Sequence, residues 1–419
     1  MDRSLKLLVV LLLLAMPACS DRDDAISLQV FGDGAEITGY RELIAAFERD
    51  HPDVRVRLIA VPSQGDHTAK LATGFSGGTP PDLFLINYRR YGQFAGKGVL
   101  EPLGRHLGDD LSLDDFYPQA LEAFRANDEQ ICLPQNISNL VVYWNRALFR
   151  SAGADEPRAG WTWSDFLAAA KKITRDTDGD GKTDVYGVAT EPNLIRLAPF
   201  VWQAGGDVVD STDAPTRTTL LDAASLRAIK FFIELRRVHK VAPSLQEAES
   251  QELEDRFAHG TLGMILDSRR FTPALRAVEG LDWDVAPLPR QSEAATILHS
   301  DAYCMAKAST RKQAAAAFVR FALSAEGASI VARSGRTVPS VRAVAQSTAF
   351  LDPTKRPASA QVFLDQILLI RRVPSIETWN EIETKADPII EEWYYGTERI
   401  EALGIEIDLA TRELFGEGS

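Results

Sequence analysis

Leu83, Phe84, Leu85 and Ile86 are apolar at four consecutive positions. Both faces of the strand they form must be covered, and a central strand in a parallel sheet with helices on each side achieves this. Neighbouring segments supply the rest of such a unit. Ile26, Leu28 and Val30 alternate with polar residues, and Val54, Val56, Leu58 and Ala60 alternate around Arg55 and Arg57, the period-two pattern of strands. Between them Tyr40, Leu43, Ile44 and Phe47 follow helical spacing, with Thr38 as the expected cap and Pro52 just past the end. The alternation continues through a helical face of Trp163, Phe166, Leu167 and Ala170 and a buried strand at Leu262 to Leu266. A chain of 419 residues without a low-complexity linker is therefore expected to form two α/β lobes that exchange strands.

Composition narrows the function classes. With 45% hydrophobic and 25% charged residues, the chain has the make-up of a soluble globular protein rather than a disordered or multi-spanning one. Its 59 acidic against 46 basic residues give a net charge of −13, which repels phosphate backbones and removes nucleic acid as an expected partner.

At the N-terminus, Arg3 and Lys6 precede an apolar run from Leu7 to Met16. This is shorter than the ~20 residues a spanning helix needs, so residues 1–18 read as an export signal. The stretch from Leu14 to Ala18 followed by Cys19 resembles the processing site of bacterial lipoproteins. Acylation of Cys19 would anchor the chain to a membrane without spanning it, with residues 19–25 as a polar tether.

Several segments, in order, carry a wider resemblance. They are Phe47 to Val56, the Gly77 to Phe84 turn into a strand, Tyr143-Trp144-Asn145, Trp161-Thr162-Trp163, Gly205-Gly206-Asp207, Pro287-Leu288-Pro289 and Gly335 to Pro339. Together they resemble the carbohydrate-type extracellular solute-binding proteins of bacterial ABC importers, the maltose-binding-protein-like family. The resemblance implies two lobes, each a mostly parallel sheet flanked by helices, at residues 26–133 with 298–336 and at 134–297 with 337–419. Crossings are expected near 130–140, 294–304 and 336–342. It further implies a monomer that needs no cofactor, closes on a sugar or oligosaccharide by hinge motion, and delivers it to a membrane permease.

Ligands in such sheets lie beyond the carboxyl ends of strands. The loops there offer Asp33 and Glu36, then Ser63 and Gln64, while Asp82 and Asn87-Tyr88 bracket the third strand. In the second lobe Asp267 and Arg269 follow a strand, ahead of Thr272 and Pro273 as cap and first residue of a helix. By the resemblance, Trp202 is the expected aromatic platform, because a sugar offers apolar C–H faces and a polar rim. Trp379 is divided between stacking and core, while Trp283, Trp144, Trp161, Trp163 and Trp393 are assigned to packing. Asn136, Gly206, Asp301 and Arg336 complete the candidate set.

Asp176, Asp178, Asp180 and Asp184 occupy positions one, three, five and nine of a calcium loop, with Gly181 at the turn. Gly187 stands where the bidentate glutamate belongs, so the segment reads either as a weak Ca2+ site or as a plain Asp/Gly turn. Cys132 and Cys304 fall in two crossing segments and are expected as separate buried thiols, with pairing as the alternative that export permits. No His-Glu-x-x-His or Cys-x-x-Cys signature is present, which argues against an enzyme. Adjacent Tyr394 and Tyr395 are assigned to packing. The competing readings are a secreted carbohydrate hydrolase, left open by the many carboxylates, and the same fold binding a non-sugar solute.

Overall fold

The strand Ile26–Phe31 pairs in parallel with Val56–Val61 on one side and with Leu83–Asn87 on the other, in a computed structural model that describes residues 25–109, 111–397 and 399–416. Asp301–Ala306 returns antiparallel to Leu83–Asn87. This leaves the all-apolar strand in the middle of the first sheet, fully buried as its composition requires. Leu100–Glu101 and Leu133–Pro134 both pair with Asp301–Ala306.

The second sheet runs in the order Tyr186–Ala189, Leu262–Asp267, Val141–Asn145, Trp283–Ala286. Its first pair is parallel and the other two are antiparallel. Both sheets are thus mixed, because strands that arrive through a lobe crossing enter against the direction of those already in place. Between the sheets lies a small third one, Ile370–Arg371, Thr296–His299 and Ser138–Asn139.

The first helix begins earlier than its apolar spacing suggests. It spans Gly34–Asp50, and the Asp33 carboxylate caps it by accepting from Ala35 N and Glu36 N. Thr38 lies inside the helix, its hydroxyl donating to Gly34 O at 2.8 Å. This early start matters for the site, because it brings Glu36 into the first turn and onto the cleft wall.

Two cores form. One fills the space between the first sheet and its outer helices, with Phe47 edge-on to Phe318 at 5.1 Å. The other starts under Phe84 and Ile86 of the first sheet and Tyr88 just after it, and continues without a break to Tyr143, Trp283 and Trp393. A core shared across the lobes accounts for the missing linker.

Cys132 and Cys304 form a disulfide, Cα to Cα 4.6 Å, which corrects the expectation of two separate thiols. Leu133 faces Tyr303 in the antiparallel crossing, and this register sets the two cysteines opposite one another.

Among the described residues no single helix is long and apolar enough to cross a membrane; Lys312–Ala322 and Ala325–Arg333 pass that test only together, across a 65° bend.

Candidate functional site

The carboxyl ends of the first-lobe strands and the loops after Tyr186–Ala189 and Leu262–Asp267 open onto one cavity of about 590 Å³, within the range of small-molecule sites. Both lobes wall it. Its rings are few, Phe31 and Phe271, and the remaining lining is dominated by charged and amide side chains.

On the first-lobe wall, Arg336 Nε lies 2.5 Å from Glu36 Oε2 and its Nη1 lies 2.7 Å from Asp33. Burial pushes the Glu36 carboxyl up to about 7 against the opposing pull of Arg336. Gly32 is required here, since a Cβ at that position would collide with the Glu36 carboxylate. Nearby, Asp301 accepts from Asn87 Nδ2 and from Asn136 Nδ2, each at 3.1 Å. Its carboxyl is raised because it is buried. Gln64, Ser138 and His299 also line the cavity.

The second-lobe wall is a lattice of ion pairs. Arg196 Nη2 reaches Glu191 at 3.1 Å and Asp267 at 3.5 Å. Arg270 Nη2 reaches Glu254 at 2.8 Å and Asp267 at 3.0 Å. Arg89, from the helix Tyr88–Ala95 of the first lobe, donates to Glu383 at 2.6 Å, and Arg90 donates to the same oxygen at 2.7 Å. Glu383 belongs to Trp379–Tyr395, which also packs on the second-lobe helices. Such pairs hold polar groups fixed around the space they enclose.

Among the residues singled out from sequence, Asp33, Glu36, Gln64, Asn87, Asn136, Asp301 and Arg336 come together on this cavity. The others lie elsewhere, for identifiable reasons. Asp82 precedes its strand and so sits at the amino end, opposite the cleft, where it accepts from Ser27 and Ser309. Tyr88 is buried in the shared core. Trp202 is 2% exposed, with Arg371 over its ring at 5.1 Å and its Nε1 donating to Asp207. Gly206 packs on Ser225. Arg269 turns away from the cleft between Phe350 and Phe363, donates Nε to Gly335 O at 2.9 Å, and has its guanidinium pushed down to about 9 by burial. Trp379 is fully buried and donates to Glu383. Asp267 lies just behind the wall and positions Arg196 and Arg270 rather than facing the cavity itself.

Sequence reasoning missed Arg89, Glu191, Arg196, Glu254, Arg270 and His299. Glu191 was findable, because it follows the strand Tyr186–Ala189 at its carboxyl end, the same rule that exposed Glu36.

In the acidic loop, Asp176, Asp178 and Asp184 bring carboxylate oxygens within 4.8 Å of one another. Asp180 stands outside that group and accepts from Lys182 N. Asp176 accepts from the backbone of Gly179 and Gly181, which holds its carboxyl below the usual range. Backbone donors therefore satisfy much of the loop's negative charge.

A polar cavity enclosed by two lobes that share their crossings is the build of a solute-binding protein. The chain belongs to the bacterial extracellular solute-binding protein family, whose model matches residues 32–329, and as a member of that family it is an exported protein. A similar solved structure is an ABC substrate-binding protein from Listeria monocytogenes in complex with cycloalternan. It is 26% identical with a TM-score of 0.84, over 93% of this chain and 98% of that one. Another, from Thermotoga lettingae and bound with α-D-tagatose, is 21% identical with a TM-score of 0.81, over 94% of this chain and 100% of that one, and shares the fold. The arabinooligosaccharide-binding protein of Halalkalibacterium halodurans is 24% identical over 50% of this chain and 45% of its own length. The first curated relatives are matched over 59% of their length.

Proposed function

We propose that this chain is the solute-capturing subunit of an ABC importer, that its cargo is a saccharide, and that the cleft closes on the cargo before delivery to a membrane permease. The observation that carries this reading is the cavity itself. Hydrogen-bonding side chains from both lobes surround it and are held in place by ion pairs and amide bonds, as capture of a many-hydroxyl solute requires. Family membership supports the same reading, as do relatives whose names record oligosaccharides.

Acylated Cys19 would tether the monomer to the membrane that houses its permease. Cys19 lies outside the described residues. A calcium ion at residues 176–184 is no part of the mechanism.

Gentle purification followed by mass spectrometry of the retained ligand tests the cargo, alongside a thermal-shift panel of sugars, since a ligand of the folded state raises apparent stability. A saccharide recovered from the protein, or a sugar-dependent shift without turnover, is the expected result. Hydrolysis of that sugar at catalytic protein concentration would replace the reading with an enzyme's, and a retained non-sugar solute would replace the cargo.

A further inference from the structure

We infer that the saccharide selected by this cleft carries a carboxylate, seated where Arg89 of the first lobe meets Arg196, Arg270 and His299. The inference rests on the saccharide reading and narrows it.

Unused donor capacity comes first. The Arg196 side chain lines the cavity and is 3% exposed, yet its Nε and Nη1 have no acceptor among the described residues. Only Nη2 is engaged, by Glu191 and Asp267. A buried guanidinium with two idle nitrogens is costly, and a carboxylate oxygen is a strong acceptor for either of them. His299 Nε2, on the same cavity, is likewise without a partner.

Burial, and then the guanidiniums of Arg196, Arg89 and Arg270, hold the His299 imidazole neutral, well below its ordinary range. Those arginines are themselves paired with Glu383, Glu191, Glu254 and Asp267, so what the site offers a ligand is the idle donors of Arg196 beside an uncharged ring.

The carboxylates of the lining are, by contrast, already occupied. Arg336 holds Glu36 and Asp33, two amides hold Asp301, and Arg196 and Arg270 hold Glu191 and Glu254. A cationic sugar would have to break one of these pairs. A neutral glycan would find Phe31 and Phe271 as aromatic faces, with Pro62, Ile195 and Ala274 beside them, and no tryptophan platform from Trp202 or Trp379, which are in the core.

The placement also bears on closure. Arg89 stands on the first lobe and Arg196 and Arg270 on the second, so a carboxylate seated among them contacts both lobes only when the cleft is shut, giving the differential affinity that a population shift needs.

Titration calorimetry at fixed ionic strength, with matched probes, decides the matter. D-galacturonate is compared with D-galactose, D-glucuronate with D-glucose, each also as short oligomers, and D-glucosamine serves as the cationic control. The acid is expected to bind about tenfold or more tightly than its neutral partner. That preference should fall to within about twofold in R196Q and in R270Q. Arg270 has a side chain 41% exposed, so R270Q keeps the test sound if R196Q does not fold. Equal or tighter binding of the neutral sugar, preference for glucosamine, or an acid preference that survives both substitutions overturns the inference and leaves the saccharide reading standing. Failure of every saccharide to bind overturns both.

Discussion

Arg336 lies 2.5 Å from Glu36, an ion pair between a segment that crosses the lobes and the first turn of the first helix. Its surroundings set a pH dependence. Glu36 faces Arg336, Asp301 and Asp33, and burial outweighs the arginine, so its carboxyl rises from 4.5 to about 7.

In the window between those values the folded chain holds a proton that the unfolded chain has released. Stability therefore declines as pH rises from about 4.5 to 7, by about 3 kcal/mol from this group alone. Glu36→Gln should flatten the slope by that order. Asp301 and Asp387 are raised as well and keep the remainder. Urea denaturation of wild type and variant across the window measures the difference, and identical slopes would remove Glu36 as its source.

Trp202→Ala should destabilise by about 3–5 kcal/mol, the range for emptying a buried aromatic site. Its ring is 2% exposed and also holds Arg371 and Asp207 in register. Melting temperature should drop while affinity per folded molecule stays within about twofold. Selective loss of binding in a protein that melts normally would return Trp202 to the cleft.

The same tryptophan shows where sequence stops informing. Leu194, Leu197, Ala198, Val201 and Trp202 follow helical spacing and are all buried, so the pattern fits core as well as platform, and only the packing of the neighbouring helix Ala223–Arg237 decides. What was legible followed from chain direction. Strands announce themselves by alternation, their carboxyl ends face the cleft, and Glu36 and Gln64 were found that way. Arg89, Arg196, Arg270 and Glu254 gave no such signal, because a charged residue on a helix or turn is usually solvated, and only the partners across the fold turn these into a buried lattice. Cys132 and Cys304 were hidden for a related reason: their pairing depends on the register of a crossing between segments separated by 172 residues.

That disulfide lies in the strand that leaves the first sheet for the second lobe, next to Leu133 and Tyr303. Closing so long a loop restricts the unfolded chain, and its removal should cost about 2–5 kcal/mol. Denatured protein starting at Ala25 should show no reactive thiol until reductant is added. Thiols titrating without reductant would mean the bond does not form, and Cys132→Ala with Cys304→Ala should then leave the urea midpoint unchanged rather than lowered.

Closure is the remaining consequence. Each wall contributes polar groups from its own lobe, Glu36 and Asp301 on one side and Arg196 and Arg270 on the other, so a bound solute contacts both and favours the closed arrangement. Small-angle scattering should therefore show a smaller radius of gyration when the retained saccharide is restored to stripped protein. Loss of a charge-assisted contact on either wall should cost about 1.5–3 kcal/mol of affinity. The two walls should nevertheless differ in kind: with the first-lobe wall intact, Arg270→Gln should leave residual binding but weaken compaction, because the solute then has less to gain from the second lobe. An unchanged radius at saturation, in wild-type protein shown to be open when stripped, would rule out hinge capture and point to a rigid pocket.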